Sequence, residues 1–287
     1  MTTGSSRRDE VGDRLSNWSK SGDRLDRYSP NRTEALYPLG DIVRRAFWRE
    51  VIDEYLERAD PRRDGRSAII TAGGPPGSGK STAVRARVVN IGEYRVIDAD
   101  EIKDALVVKA VADGIYGDLL SQVLPDGYGL APRELASLVH NESVEIANLI
   151  RRISVDRKEN IVVEGTLAWD GQGPRIFRDL ADAGYVEVEV FGVDVDAPPR
   201  RTREHWHDGG RAAWRGSMAP TNWEAVSPPR VAIDNCYDSS GQSNCTAHAL
   251  EFINQAQSGE IPTVEVTILG RDAAGALTVI RQQHYKQ

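Results

Sequence analysis

Short apolar runs alternate along the chain with longer segments in which apolar residues recur at helical spacing. The runs predict buried strands, whereas the longer segments predict amphipathic helices. The predicted strands are 68–72, 94–98, 160–164 and 185–195, with a closing pair at 263–269 and 276–280. The predicted helices are 42–56, which Asp41 caps, 105–112, 133–152 and 246–257. This alternation indicates an α/β, three-layer fold with a mostly parallel sheet and helices on both faces.

Two parts of the chain lack such a pattern. Residues 1–38 are polar with scattered aromatic side chains and predict a weakly ordered or loosely docked leader, so that 39–287 form a single domain. Residues 217–245 are polar and show little periodicity, and no regular element is predicted there.

Composition narrows the class of protein. The 287 residues carry a formal net charge of -7, which argues against a general nucleic-acid binder. Cys236 and Cys245 provide neither a disulfide framework nor a metal-ligand quartet. No apolar stretch approaches the length of a membrane span. We therefore expect a cytoplasmic protein that binds neither nucleic acid nor membrane.

A complete phosphate-binding motif, G-x-x-x-x-G-K-[ST], lies between the first predicted strand and a helix predicted at 81–89. Strand, glycine-rich loop and helix N-terminus together direct backbone N–H groups at a polyphosphate. In this motif Lys80 interacts with the β- and γ-phosphates, and the Ser81 hydroxyl binds Mg²⁺. The residues predicted to bind ATP or another nucleoside triphosphate are Gly74, Pro75, Pro76, Gly77, Ser78, Gly79, Lys80, Ser81 and Thr82.

Two carboxylates, Asp98 and Asp100, follow at the end of the second predicted strand. Ligands of open α/β sheets bind at the carboxyl ends of the strands, and strand alternation predicts that both carboxylates lie on the same side. A kinase that acts on an alcohol needs a carboxylate to accept or orient the hydroxyl proton. An acid at position 100 would equally serve the N-terminus of the helix that follows. The spacing alone leaves both interpretations open.

Further polar residues follow the third and fourth predicted strands. Glu164-Gly165-Thr166 would direct a carboxylate and a hydroxyl into a substrate pocket, with Gly165 allowing close approach. P-loop kinases use a mobile, arginine-rich lid to neutralise charge on the transferring phosphoryl group, and residues 196–216 have that composition. An ordinary solvated basic face is the alternative. The arginines are Arg200, Arg201, Arg203, Arg211 and Arg215.

Taken together, these motifs resemble the zeta toxin family, the kinase halves of bacterial toxin–antitoxin pairs. The family shows the same order of a phosphate loop, an I-D-x-D element and an N-x-x-x-E-G-T strand. The matching stretches here are Ile97-Asp98-Ala99-Asp100 and Asn160-Ile161-Val162-Val163-Glu164-Gly165-Thr166. The resemblance covers residues 66–216, with a weaker echo at 263–281.

The resemblance implies a P-loop kinase that transfers phosphate from ATP or GTP, with Mg²⁺, to a sugar hydroxyl of UDP-N-acetylglucosamine. Asp100 would be the proton acceptor, and Arg203 and Arg211 are our choices for the two lid arginines on the phosphates, with Arg201 and Arg215 as close alternatives. The residues assigned to the acceptor are Asp98, Glu145, Glu164 and Thr166. A small helical antitoxin is implied as a partner.

Two positions depart from the family pattern. Leu167 and Ala168 stand where the family has a small residue followed by a basic one. Another acceptor, such as an NAD-type dinucleotide or an antibiotic hydroxyl, is therefore an alternative. A switch or motor that only hydrolyses the nucleotide is less favoured, because the chain lacks an Asp-Glu Walker B and an N-K-x-D guanine motif.

Overall fold

The computed structural model describes residues 4–38, 40–73, 80–194, 236–238, 243–272 and 276–287. The phosphate-loop residues 74–79 and the predicted lid at 196–216 lie outside these ranges. Packing divides the described residues into two units. The larger unit comprises 52–98, 147–194 and the described residues from 236 onward, and the smaller unit comprises 4–38, 40–51 and 99–146.

The larger unit is built on a six-stranded sheet. The strands lie in the order β2-β3-β1-β4-β5-β6, and every neighbouring pair is parallel except β5 and β6, which are antiparallel. This confirms the predicted mostly parallel α/β fold. The strands are β1 (Ser67–Gly73), β2 (Arg95–Asp98), β3 (Ile161–Glu164), β4 (Glu187–Val193), β5 (Thr263–Arg271) and β6 (Leu277–Lys286).

Nine helices are described along the chain, and several of them flank this sheet. They are α1 (Gly4–Trp18), α2 (Thr33–Leu36), α3 (Ile42–Glu57), α4 (Lys80–Arg87), α5 (Ala99–Ala112), α6 (Gly117–Leu120), α7 (His140–Asp156), α8 (Gln172–Asp182) and α9 (Asn244–Ala256). Val84 of α4 packs in a core cluster with Ile69 and Phe191 of the sheet. None of the helices described is long and apolar enough to cross a membrane.

The strand that leads into the phosphate loop lies inside the sheet. All seven residues of β1 are buried, and β3 and β4 pair with its two edges. A strand covered on both faces has no polar side, which explains why 68–72 is apolar in the sequence apart from Thr71. The start of β1 is fixed by Asn160, whose side-chain oxygen accepts hydrogen bonds from the N–H groups of Arg66 and Ser67 at 3.2 and 3.0 Å.

Helices dominate the smaller unit. Its main core cluster includes Leu25, Tyr116 and Leu135, all buried. Asp41 caps α3 as predicted, because its carboxylate accepts from the N–H groups of residues 43 and 44 at 2.8 and 3.2 Å. A buried ion pair joins α3 to α7: the Nε–H and Nη2–H groups of Arg44 donate to the two carboxylate oxygens of Glu142 at 2.7 and 2.6 Å.

The predicted helix at 133–152 is wrong in its first part. A short 3-10 turn occupies Pro132–Leu135, and α7 begins only at His140. The Glu134 carboxylate accepts from the Ala131 N–H at 2.8 Å and closes that turn on itself. The following turn then buries Leu138 and Val139. Burial of these side chains overrides the local helical preference of the sequence.

Candidate active site

The end of β1 sets the direction in which the chain enters the phosphate loop. Gly73 has a φ of +136°, and a Cβ atom at this position would lie 2.3 Å from the backbone nitrogen of Val193 on β4. Side chains are therefore excluded there by both conformation and space. The six loop residues, Gly74, Pro75, Pro76, Gly77, Ser78 and Gly79, lie outside the described residues.

Helix α4 begins at Lys80, directly after the loop. The predicted order of strand, glycine-rich segment and helix is confirmed by this element and β1. Lys80, Ser81 and Thr82 thus occupy the first turn of a helix, where unpaired backbone N–H groups attract phosphate. Their side chains are not among those that the structure describes.

Hydrogen bonds fasten the Glu164-Gly165-Thr166 segment to β1. The hydroxyl of Thr71 accepts from the Gly165 N–H at 2.8 Å and donates to the Gly165 carbonyl at 3.0 Å. The Gly73 N–H donates to the Thr166 carbonyl at 2.9 Å. The residues predicted to contact the acceptor therefore lie beside the last residues before the phosphate loop.

The next residue, Leu167, has an unusual conformation. Its φ is +52°, in the left-handed region that a bulky side chain rarely adopts, and its side chain is buried. His248 of α9 holds this turn, because its Nδ1 lies 2.6 Å from the Leu167 carbonyl oxygen. A carbonyl only accepts, so Nδ1 carries the proton. Neither Thr71 nor His248 belongs to a recognisable motif, so the sequence alone did not indicate either role.

Asp98 ends its strand directly beside Glu164. The two residues are register partners on the parallel strands β2 and β3, and register partners lie on the same face of a sheet. The Asp98 N–H donates to the hydroxyl of Tyr55 at 3.0 Å, and that hydroxyl donates to the Val96 carbonyl at 3.1 Å. Two of the predicted acceptor carboxylates are therefore adjacent at the carboxyl edge of the sheet.

Asp100 lies on a helix rather than on a strand. Strand β2 ends at Asp98 and α5 begins at Ala99, so the prediction that strand alternation aligns Asp98 with Asp100 is wrong. Asp100 belongs to the first turn of α5, where an acidic side chain interacts favourably with the helix dipole. Its side chain is 61% exposed and pairs with the ammonium group of Lys103 at 2.6 Å.

The surroundings of Asp100 within the smaller unit are electrostatically unusual. Burial raises the pKa of Asp104, one turn further along α5, to about 7, although Arg133 at 3.1 Å opposes the shift. Burial also lowers the pKa of His140 to about 3, and the charges of Lys103 and Arg27 add to this effect. His140 is therefore neutral near pH 7. Perturbed pKa values of this kind concentrate at functional sites.

Glu145, the remaining residue assigned to the acceptor, is exposed on α7. One turn earlier, Glu142 is buried and engaged by Arg44, and it also accepts from the indole N–H of Trp48 at 2.5 Å. Of these two glutamates, only Glu145 therefore has a side chain open to solvent. Arg203 and Arg211 lie outside the described residues.

The side chains at the carboxyl edge of the sheet include oxygen donors that could bind a metal ion. The part of the chain that the structure describes holds no cluster of three or more His, Cys, Asp or Glu side chains suited to a metal ion. The pair Asp98 and Glu164 nevertheless offers carboxylate oxygens, the ligands that Mg²⁺ prefers. This fits an ion held mainly by the nucleotide phosphates and water.

The chain is similar to one known protein family and to solved structures. A family model described as Zeta toxin matches residues 52–198, just over half of the chain. A chain of the AvrRxo1-ORF1:-ORF2 complex is 15% identical with a TM-score of 0.57, over 90% of this chain and 73% of that chain. This likeness shows a shared fold.

A second similar structure comes from the PezAT chromosomal toxin–antitoxin system of the human pathogen Streptococcus pneumoniae. It is 12% identical with a TM-score of 0.49, over 83% of this chain and 80% of that chain. None of the curated proteins matches the sequence.

Proposed function

The chain belongs to the zeta toxin family, and from this premise we propose that it is an ATP-dependent small-molecule kinase. The acceptor that we propose is a hydroxyl group of a nucleotide sugar such as UDP-N-acetylglucosamine. One observation carries the proposal: hydrogen bonds from Gly73 and Thr71 hold Thr166 and Gly165 beside the entrance to the phosphate loop. Polar residues fixed at that place favour transfer of phosphate to a second substrate over simple hydrolysis of ATP.

In the proposed reaction the acceptor oxygen attacks the γ-phosphorus of ATP, the bond to the bridging oxygen breaks, and ADP leaves. Asp100 accepts the proton of the acceptor hydroxyl, and Glu164, Thr166, Asp98 and Glu145 hold the acceptor. The ion pair with Lys103 supports this role, because it orients the Asp100 carboxylate in the first turn of α5.

Lys80 would neutralise charge on the β- and γ-phosphates, and the lid arginines Arg203 and Arg211 would do so on the transferring phosphoryl group. The hydroxyl of Ser81 would hold Mg²⁺, which when bound stabilises the negative charge that develops on the phosphate oxygens. Closure of the lid would exclude water and so prevent wasteful hydrolysis of ATP.

Leu167 and Ala168 differ from the family pattern, and this difference favours a second class of acceptor as the alternative. Where the family pattern has a basic residue, this chain has an apolar turn held by His248, so an acceptor with a different arrangement of phosphates is the alternative. We further propose a small helical antitoxin as the protein partner, and the cytoplasm, where ATP is abundant, as the compartment.

The test is a transfer assay with Mg²⁺-ATP and a metabolite panel that includes UDP-N-acetylglucosamine, read by mass spectrometry for the gain of one phosphate. Lys80→Ala and Asp100→Asn should each reduce transfer by a factor of about 100 or more. Glu101→Gln is the matched control, because it removes a neighbouring acid of the same helical turn. Transfer that survives in Asp100→Asn, or is lost equally in Glu101→Gln, would contradict the role given to Asp100.

A further inference from the structure

The loop between β3 and α8 exposes a tryptophan. Trp169 is 60% exposed, whereas the other two tryptophans in the described part of the chain, Trp18 and Trp48, are half-buried. Trp18 is covered by Arg24, whose guanidinium lies 4.8 Å from the ring centroid, and Trp48 bonds Glu142. An exposed indole offers an aromatic face on which a planar ligand ring can stack.

The indole is held in place by its own loop. A Cβ atom on Gly171 would lie 2.3 and 2.5 Å from two atoms of the Trp169 ring, so the ring lies directly against the Gly171 backbone. The Gln172 N–H donates to the Trp169 carbonyl at 3.1 Å. The Gln172 side chain lies close to Gly165, because its amide nitrogen is 3.5 Å from the place that a Cβ atom on this glycine would occupy. One side of the ring is therefore supported by backbone while most of the side chain is open to solvent.

The same loop begins with the residues proposed to hold the acceptor. Trp169 follows Thr166 by three positions, and the turn between them is anchored twice, by the Gly73 N–H on the Thr166 carbonyl and by His248 on the Leu167 carbonyl. The Ala168 N–H also bonds the Thr166 hydroxyl at 3.4 Å. The loop therefore presents a fixed aromatic surface three residues after Thr166.

We infer that Trp169 is a stacking surface for a planar heteroaromatic ring of the acceptor, which is therefore a nucleotide-containing molecule. The inference rests on the proposed function and deepens it. Aromatic side chains bind bases of any identity through their faces. The indole would then replace, by stacking, the affinity that a basic residue at position 168 would give through charge.

Binding can be measured without phosphoryl transfer. The triphosphate site is first saturated with a non-hydrolysable ATP analogue and Mg²⁺, and calorimetry then compares UMP and AMP with ribose 5-phosphate, which lacks the base. In the wild type both nucleotides should bind about tenfold or more tightly than ribose 5-phosphate. Trp169→Leu should abolish this preference, and Trp169→Phe should retain part of it. Tyr28→Leu, which removes an aromatic ring of similar exposure elsewhere, should leave it unchanged.

A second variant separates stacking from loop integrity. Gly171→Ala keeps the indole but displaces it from its support, and it should lower the preference for nucleotides as Trp169→Leu does. Equal binding of nucleotides and ribose 5-phosphate in the wild type, or a preference that persists in Trp169→Leu, would overturn the inference. If the ATP analogue itself fails to bind, the proposed kinase function fails instead, so the two results are distinguishable.

Discussion

The hydroxyl of Thr71 offers a direct test of how the acceptor segment is positioned. Thr71→Val preserves the shape of a residue that is 1% exposed but removes an oxygen that bonds both the N–H and the carbonyl of Gly165. Each lost hydrogen bond should cost about 1 kcal/mol, so the free energy of unfolding should fall by about 2 kcal/mol. For a chain of this size the midpoint of thermal unfolding should fall by about 3 °C.

Thr267→Val provides the matched control. Thr267 is also a buried strand threonine, but its hydroxyl bonds only the side chain of Glu265, at 3.4 Å. Its replacement should change the free energy of unfolding by no more than about 0.5 kcal/mol. Thr71→Ser retains the hydroxyl and should recover most of the stability lost in Thr71→Val.

Kinetics add a measurement that stability alone does not provide. Because Gly165 lies between Glu164 and Thr166, Thr71→Val should raise the KM for the acceptor about fivefold or more while leaving the KM for ATP within a factor of about two. Equal effects on both constants, or equal destabilisation by Thr71→Val and Thr267→Val, would refute the idea that this hydroxyl fixes the acceptor segment.

Three further predictions concern one buried and two half-buried side chains. Glu142→Ala should lower the free energy of unfolding by about 3 kcal/mol in urea titrations, because a buried arginine loses its partner. The folded-state pKa of His140 lies below its unfolded value, so stability is lost as the pH falls below about 6.5. Between pH 7 and 5, His140→Asn should therefore gain about 1–2 kcal/mol relative to the wild type in thermal unfolding. His248→Ala should lower kcat/KM for the acceptor about fivefold by releasing the Leu167 carbonyl, and His248→Asn should restore part of it.

Much of the larger unit could be predicted because its signals are local. The mainly apolar run at 68–72 and the acid that ends 160–164 each lie within a few residues, and they identify a strand and a sheet edge. The cap at Asp41 was predictable for the same reason, since its hydrogen bonds reach only the next helical turn.

Other features depend on contacts that the sequence does not reveal. The segment around Asp98 and Asp100 suits a strand by alternation and a helix by its acidic first turn, and the structure places the change between Asp98 and Ala99. The bond from His248 to Leu167 spans 81 positions. No local pattern could have indicated that pair, nor that a buried leucine adopts a left-handed conformation there.

Gly73 restricts the mutations that this chain can tolerate. It lies one position before the phosphate-binding motif, yet its φ of +136° and the 2.3 Å separation between its Cβ position and the Val193 nitrogen leave room only for hydrogen. A randomised library would thus accept glycine alone at this position. Engineering of the preference for the acceptor should accordingly hold residues 73–81 constant and vary the loop that carries Trp169.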